Sequence, residues 1–544
     1  MGYRITLGRM NQTGKAFEGI LDRYFETTLE RHPVYANYVG LKAGEGKLDR
    51  ADLASIEAAE KLRRQTLAAL EGVNPRELTN EQHLDRLALR SQLLNELEDY
   101  ATASHELSPD APDTLLNLLL HELQRGDDEP ARAAKNIRAV LKAAPKFLAE
   151  DAAVVIRPER VWLKIMQETC ASADSLFTAV AGFLAKHEAS AKDAELIASV
   201  QQAVKSYRDT VSSRELAPEG SFAVGVESLQ RRVRDQVGLD YSLGEIEALA
   251  LGEVERIGAL LKQACKKFGK GTDAEAIVAK ARAEWNPGGD LLGVYRAETD
   301  RVAKAFREAK AVTFPVGDEL QVRPVPEFMR HLFPTAAYSS PGAFEKRQRG
   351  IFWVNDLSVT KTTEAEKLKE RQQHFGLSLT SAHEAYPGHH LQFVIANQHP
   401  RRWRRLFAHA VFYEGWTLWC EQMMVDLKID RSPWLEVQQL HDALWRCHRI
   451  LVDLRLQTGR YSYAQAVKHM QKHLGFTKSR AEADVNWYTS SPAVPMSYWL
   501  GRLENARLYR RLVEGRGWKL KQFNDWLISH GTLPQAWLEK YMLD

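Results

Sequence analysis

The pattern of apolar and polar positions predicts a chain built mainly from amphipathic helices. Near the N-terminus, apolar residues recur at the three- and four-residue spacing of one helix face, and this pattern ends before Pro33. The residues on that face are Phe17, Ile20, Leu21, Tyr24, Phe25 and Leu29. Similar stretches predict helices over 50–72, 80–104, 129–149, 172–187, 191–213 and 244–268. The predicted fold class is therefore mainly α.

Strand-like patterning is confined to a short part of the chain. Leu320 to Val325 and Ile351 to Val354 are the best candidates, and the second is predicted to be an edge strand lining a cleft. Proline and glycine interrupt the helical pattern from about residue 310 to 360, and helices resume near 363. Three segments follow, which we expect to form one continuous fold. They are an N-terminal helical half (1–310), an irregular and β connecting segment (311–360) and a C-terminal helical half (361–544).

Composition and charge exclude several classes of protein. The formal charge of +3 arises from 74 basic and 71 acidic residues, so nothing demands a nucleic-acid or anionic membrane partner. The four cysteines show no paired spacing, which favours reduced thiols over a disulfide framework. Met1 to Lys15 contains no apolar segment typical of a signal peptide, and no apolar run reaches the length of a membrane span. These observations predict a cytoplasmic protein.

The segment from His383 to His390 carries the strongest chemical signal. It holds three imidazoles and one carboxylate within eight residues, and it reads as H-E-x-x-H with two extra residues before the second histidine. Imidazole nitrogen is a favoured zinc ligand, and a carboxylate beside a ligand can activate a metal-bound water. The pattern predicts a metal site that includes His383, with Glu384 as the base.

Two histidines compete for the second ligand position. On a straight helix, residues seven apart differ by about 20° in azimuth and residues six apart by about 120°, which would pair His383 with His390. Pro387 should kink or bulge the helix, and a kink could bring His389 to the metal instead. Ser381 and Glu384 have capping-box spacing, which predicts that a helix begins just before the motif.

A second motif lies downstream, where Glu414-Gly415-Trp416 begins a new apolar helical stretch. Glu414 follows His389 by 25 residues, and two histidines with one glutamate leave an open fourth position on zinc. Glu421 lies seven residues further along, on the same helix face. It is interpreted either as a salt-bridged residue or as the group that orients a ligand histidine.

Both motifs are similar to those of the bacterial family called domain of unknown function 885, whose signature is HExxPGHxxQ followed by EGWxLxxE. The chain carries HEAYPGHHLQ from His383 to Gln392 and EGWTLWCE from Glu414 to Glu421. Weaker similarity extends from His32 to Tyr498. The family in turn resembles the helical zinc peptidases of the thimet oligopeptidase and carboxypeptidase Taq kinds. This resemblance implies a large multi-helix body with a deep cleft and a small β element near 320–355.

The resemblance also implies a site and a reaction. Matching Gly388-His389 to the Gly-His of the zinc peptidases implies one Zn²⁺ ion held by His383, His389 and Glu414. The implied function is a zinc-dependent hydrolase that cleaves short peptides, with Glu384 as general base. The alternatives are a metal-dependent amidohydrolase acting on a non-peptide amide, and a non-catalytic peptide-binding protein on the same scaffold.

Tyr498 matches a family tyrosine and is the candidate oxyanion donor, although packing beside Trp499 is an equal alternative. Relatives typically read PGQALSY where this chain has Pro492 to Tyr498, so the family's glycine and glutamine are missing here. The family's VDxGLH segment corresponds to Val452–Gln457, which contains no histidine. Arg502, one turn after Tyr498, could hold a substrate carboxylate, but a surface salt bridge is the favoured interpretation.

Overall fold

The chain divides into two compact units, Met1–Ser221 and Phe222–Asp544. The computed structural model describes residues 11–187, 189–269, 271, 273–326, 330 and 335–543. Both units are mainly helical, which confirms the predicted fold class. The predicted junction at residue 310 lies inside the second unit. Residues 1–10, on which the expectation of no signal peptide partly rests, lie outside the described residues.

The first unit is helical throughout its regular structure. Its first helix begins where the Asn11 side chain accepts a hydrogen bond from the Gly14 amide, and it ends before Pro33, which starts the next helix. All but one of the six apolar residues predicted to share its face are buried. The helices described in this unit are α1 (Gln12–Arg31), α2 (Pro33–Tyr38), α3 (Leu53–Glu71), α4 (Asn80–Ala101), α5 (Ser104–Leu107), α6 (Ala111–Arg125), α7 (Pro130–Val154), α8 (Arg160–Lys186) and α9 (Asp193–Ser212).

The second unit combines helices with a small sheet. Its described helices before the sheet are α10 (Val226–Arg232), α11 (Leu243–Cys265), α12 (Ala274–Glu284) and α13 (Leu291–Glu308). Those after the sheet are α14 (Glu364–Arg371), α15 (Leu377–Glu384), α16 (His389–Asn397), α17 (Ala410–Asp426), α18 (Leu435–Gln457), α19 (Tyr463–Leu474), α20 (Lys478–Ser490), α21 (Val494–Tyr509), α22 (Leu520–Ile528) and α23 (Gln535–Met542). Helices α11, α18 and α21 contribute to one hydrophobic core.

The sheet has three strands in the order β1-β3-β2, formed by β1 (Asp318–Pro324), β2 (Ala336–Ser339) and β3 (Gln348–Val354). Strand β3 pairs with β1 in parallel and with β2 in antiparallel orientation. The prediction that the Ile351 to Val354 run forms an edge strand is therefore wrong. Its four consecutive buried residues are typical of a strand covered on both faces, which suits a central position.

Helices α17 and α21 cross at unusually close range, and this crossing brings two functional candidates together. A Cβ atom at Gly501 of α21 would lie 1.9 Å from the Val411 carbonyl oxygen, and one at Gly415 of α17 would lie 2.5 Å from the Gly501 carbonyl carbon. Only glycine allows this approach of the two backbones. Helix α17 carries Glu414, and α21 carries Tyr498.

Candidate metal centre

The first motif spans two helices separated by a tight turn. Helix α15 ends at Glu384 and α16 begins at His389, with a cis peptide bond between Tyr386 and Pro387 in the turn. A Cβ atom at Gly388 would lie 1.8 Å from the His383 carbonyl oxygen, so the turn requires glycine. The interruption at Pro387 places the second histidine on a new helix.

The predicted helix start at Ser381 is wrong. Helix α15 begins at Leu377, after Gly376 in the left-handed conformation, and Ser381 lies inside it. The Ser381 carbonyl accepts hydrogen bonds from the amides of Ala385 and Tyr386, which close the helix at its C-terminal end. The spacing that resembled a capping box therefore marks the last turn of a helix.

His383, His389 and Glu414 form a buried group whose ligand atoms all lie within 4.8 Å of one another, an arrangement that could hold a metal ion. Glu414 Oε2 lies 3.6 Å from Nε2 of each histidine. The two imidazole rings are nearly perpendicular, at 83°, with centroids 5.0 Å apart. Glu414 Oε2 is buried without a hydrogen-bond partner, which suits an oxygen that shares an ion with the two imidazoles.

Glu421 is not part of this group but contacts one of its histidines. Its Oε1 atom lies 2.7 Å from His383 Nδ1, so it holds the ring with Nε2 directed towards Glu414. This contact agrees with orientation of a ligand histidine, and Arg446, 3.9 Å from Glu421 Oε1, adds the salt bridge of the other interpretation. The Trp416 indole nitrogen also donates to the Pro387 carbonyl oxygen at 2.8 Å, which ties α17 to the turn of the first motif.

His390 lies outside the group and belongs to a separate hydrogen-bonded network. It is fully buried, and its Nδ1 atom is 3.0 Å from the Tyr338 hydroxyl of β2. Its Nε2 atom lies 3.6 Å from Oδ2 of Asp318 on β1, and the Tyr386 hydroxyl donates to the same oxygen at 2.5 Å. The sheet therefore holds the turn in place through His390 and leaves His389 to face Glu414.

The electrostatics of the group favour a charged Glu414. Burial opposes ionisation, but the neighbouring His389 and His383 hold the pKa of Glu414 well below its usual range. Burial likewise opposes a charged imidazole at His383, but Glu414 and Glu421 raise the pKa of His383 to about 10. The site therefore concentrates negative charge around the histidines, as a cation site requires.

Glu384 lies beside the group with its carboxylate free. It is the last residue of α15, is partly exposed, and forms no hydrogen bond or ion pair with any residue in the described part of the chain. His383, His389 and Glu414 keep 9%, 8% and 7% of their surface exposed, so the group is reachable from solvent. A free, partly exposed carboxylate next to such a group can exchange protons with a water molecule.

Tyr498 also reaches the group. Burial and the nearby Glu414 carboxylate raise the pKa of Tyr498 well above its usual value, so the phenol stays protonated. Trp499, the neighbour with which Tyr498 was expected to pack, directs its indole nitrogen to Glu253 at 2.9 Å. The Arg449 guanidinium carbon lies 4.5 Å from the centre of the Tyr498 ring.

The segment before Tyr498 is held in an unusual conformation. Ala493 has φ 66°, the left-handed region that favours glycine, and it occupies the position where the family motif carries glycine. Asp453 of α18 accepts a hydrogen bond from the Met496 amide at 3.2 Å. These contacts fix the start of α21 and thereby the direction of Tyr498.

Several residues around the group could not be found from sequence spacing. Asp318 and Tyr338 lie far from the motifs along the chain and reach His390 only through the sheet. Arg446 and Arg449 lie three residues apart on one face of α18, and arginines at this spacing are common on helices that have no functional site. Arg502 lies over the Trp419 ring at 4.9 Å, and its charged neighbours are Asp426, Arg256, Glu253 and Arg510 rather than the metal group.

Comparisons of fold place the chain among solved structures without a known activity. One, described as a "putative lipoprotein of unknown function" from Shewanella oneidensis, has a TM-score of 0.76 and 18% identity, covering 97% of this chain and 100% of that chain. Another, a "putative lipoprotein" from Colwellia psychrerythraea, has a TM-score of 0.70 and 18% identity, covering 97% and 98%. No curated protein matches the chain in sequence.

The descriptions of these two structures contradict the predicted cytoplasmic location. The prediction rested on the cysteine spacing, on the lack of an apolar segment in Met1 to Lys15 and on the lack of an apolar run of membrane-span length. The four cysteines are free, and three of them are buried. Free thiols, most of them buried, occur in proteins of several compartments, so they do not determine the location. Among the described residues, no helix is both long enough and apolar enough to cross a membrane.

Comparison with family models identifies the family of the chain. The model described as "Bacterial protein of unknown function (DUF885)" matches residues 33–542, which is nearly the whole chain and includes every residue of the metal group. The chain therefore belongs to the DUF885 family of bacterial proteins of unknown function.

Proposed function

We propose that this protein is a zinc-dependent hydrolase that cleaves peptide bonds in short peptides. The observation that carries the proposal is the buried His383–His389–Glu414 group, with an unpartnered oxygen of Glu414 between the two imidazoles. Two imidazoles and one carboxylate are the protein ligands of several catalytic zinc sites, in which the fourth position stays open.

The residues present fit a zinc ion. His383, His389 and Glu414 would hold it, and Glu421 would keep His383 in the tautomer whose Nε2 atom is free to bind. When bound, zinc supplies Lewis acidity, which lowers the pKa of water and polarises a carbonyl group.

Two further residues have separate tasks in the proposed reaction. The free carboxylate of Glu384 takes a proton from the attacking water and later delivers it to the leaving amine. The protonated Tyr498 hydroxyl donates a hydrogen bond to the substrate carbonyl oxygen as that oxygen gains negative charge. The resemblance of both motifs to helical zinc peptidases favours a peptide over other amides as substrate.

The experiment is a substrate screen with the zinc-loaded protein. Dipeptides, tripeptides and non-peptide acyl-amides are incubated with wild type and with Glu384→Gln, and products are measured by mass spectrometry. We expect peptide cleavage by wild type, and a loss of roughly 10²–10⁴-fold in Glu384→Gln without loss of zinc. Glu436→Gln, an exposed carboxylate on α18, is the matched control and should keep full activity.

The alternatives give different results in the same screen. Turnover of acyl-amides without turnover of any peptide would make the protein an amidohydrolase. Peptide binding without any turnover would make it a binding protein. Full activity of Glu384→Gln would show that Glu384 is not the general base.

A further inference from the structure

We propose that Arg449 forms a carboxylate-binding subsite beside the metal centre, and that the substrates are peptides with a free C-terminal carboxylate close to the cleaved bond. This inference rests on the proposed hydrolase function and deepens it by naming the substrate class. It assigns a substrate contact to a residue of α18 outside both motifs.

Arg449 is a buried cation without an acidic partner. Only 6% of its surface is exposed, and its Nε and Nη1 atoms have no hydrogen-bond partner. No carboxylate within the described ranges forms an ion pair with it. A buried guanidinium is normally paired with an acid, because the loss of hydration must be offset by hydrogen bonds to its planar fork.

The acids nearest to Arg449 are engaged elsewhere. Asp484 accepts hydrogen bonds from the Trp445 indole nitrogen at 2.9 Å and from the Tyr488 hydroxyl at 3.2 Å. Arg446, on the preceding turn of α18, lies 3.9 Å from Glu421 and 3.8 Å from Asp442. Arg446 therefore has carboxylates within ion-pair distance, whereas Arg449 has none among the described residues.

Aromatic rings surround Arg449, and its Nε and Nη1 atoms remain without a hydrogen-bond partner. The guanidinium carbon lies 4.1 Å from the ring centre of Trp445, 4.5 Å from Tyr498, 5.4 Å from Trp487 and 5.8 Å from Tyr488. Aromatic faces stabilise the positive charge. They cannot accept the in-plane N–H groups, for which a carboxylate is the complementary bidentate partner.

The subsite is adjacent to the reacting groups through Tyr498. The ring of Tyr498 faces Arg449, and the Glu414 carboxylate acts electrostatically on both side chains. A substrate carbonyl that accepts a hydrogen bond from Tyr498 would therefore have its next residues beside Arg449. A free carboxylate on those residues would pair with the guanidinium.

The charge balance of the site supports an anionic substrate. Zinc would neutralise much of the negative charge of Glu414, which otherwise helps to stabilise Arg449. With the metal bound, the buried guanidinium would lose that stabilisation, so an incoming carboxylate would be favoured.

Binding is tested in a zinc-loaded Glu384→Gln background, in which turnover does not interfere. Isothermal titration calorimetry compares acetyl-Ala-Ala as free acid with acetyl-Ala-Ala amide. We expect the acid to bind at least about tenfold more tightly than the amide, as for a charge-assisted bidentate pair. Arg449→Gln should remove this preference, and Arg449→Lys should keep part of it because the charge remains without the fork. Arg502→Gln, which changes an arginine over Trp419, is the matched control and should leave the preference intact.

Three results would overturn the proposed subsite. Equal binding of acid and amide, or a preference that survives Arg449→Gln, would overturn the subsite. So would a parallel loss of zinc and of both ligands in Arg449→Gln and Arg449→Lys, because Arg449 would then be only a clamp between α18, α20 and α21.

The subsite and the hydrolase can fail separately. If wild type hydrolyses free-acid and amide peptides with equal KM, the hydrolase stands and the subsite fails. If the acid binds through Arg449 but no peptide is ever cleaved, the subsite stands and the hydrolase fails.

Discussion

At the scale of single residues, Glu421 orients His383, one of the three proposed zinc ligands. Its Oε1 atom lies 2.7 Å from His383 Nδ1. Loss of its charge should lower the basicity of the His383 imidazole and leave the ring less firmly oriented. We expect Glu421→Gln to lower zinc affinity by about 10–100-fold in a competition titration with a fluorescent zinc chelator. Glu436→Gln serves as control, and an affinity within twofold of wild type for Glu421→Gln would contradict the assigned role.

Gly388 is the residue on which the turn between the two histidines depends. A Cβ there would meet the His383 carbonyl oxygen at 1.8 Å, so Gly388→Ala must displace α15 or α16. We expect unfolding free energy to fall by about 1–3 kcal/mol, measured by chemical denaturation, together with loss of zinc binding. Gly258→Ala, in a helix with open space around the position, should be neutral or stabilising. Equal changes in unfolding free energy for Gly388→Ala and Gly258→Ala would contradict the close approach of Gly388 to the His383 carbonyl oxygen.

The sequence predicted part of the site at this scale. The motif spacing pointed to His383 and Glu414, because ligand chemistry is visible in residue type and local order, and the role of Glu384 stays a prediction. The choice between His389 and His390 was not fixed by periodicity, since a straight helix favours His390. The turn that redirects His389 depends on Gly388 and on the hydrogen bonds of Ser381, which periodicity does not show.

At the scale of elements, the crossing of α17 and α21 brings Glu414 and Tyr498 together. Gly501→Ala would place a Cβ 1.9 Å from the Val411 carbonyl and push the helices apart. The expected loss is about 1–3 kcal/mol of unfolding free energy, with a lower activity from the displaced Tyr498. Gly252→Ala, which has no atom within 4 Å, is the control on α11. Unchanged stability of Gly501→Ala would show that the helices do not cross as described.

The contact between α18 and the start of α21 makes stability depend on pH. Burial raises the pKa of Asp453 to about 8 from its usual 3.8, although the Met496 and Ala493 amides lower it in part. Between these values the folded chain keeps a proton that the unfolded chain releases, so this carboxyl makes stability fall as pH rises from about 4 to 8.

Asp453→Asn should remove that contribution. Thermal unfolding of the metal-free protein at pH 5 and at pH 8 measures this contribution. The decrease in Tm from pH 5 to pH 8 should be smaller in Asp453→Asn than in wild type. A loss of equal size in both proteins would show that Asp453 does not titrate in this range.

Elements with strong periodicity were predicted closely, and those that depend on distant pairing were not. The predicted helix over 80–104 is α4 (Asn80–Ala101), because its start carries a capping box at Thr79 and Gln82. Strand β2 was missed because four residues are too few to show alternation. Strand β3 was misplaced at an edge because its parallel partner β1 lies about thirty residues away.

At the scale of the whole molecule, the division at Ser221 and Phe222 follows Pro218 and Gly220, a short turn signal that resembles other breaks between helices. Helical patterns occur on both sides of it, and the Pro- and Gly-rich stretch that suggested a boundary belongs to the sheet of the second unit. The metal group and all its supporting residues lie in that second unit. Location was also beyond the sequence, because buried free cysteines fit several compartments.

The central claim is that His383, His389 and Glu414 bind one zinc ion. Protein purified without added metal is analysed by inductively coupled plasma mass spectrometry, as wild type, His389→Gln and His390→Gln. We expect about one zinc per chain in wild type and in His390→Gln, and almost none in His389→Gln, as for a three-ligand site. Wild type without a divalent metal, or zinc that depends on His390 and not on His389, would contradict the account.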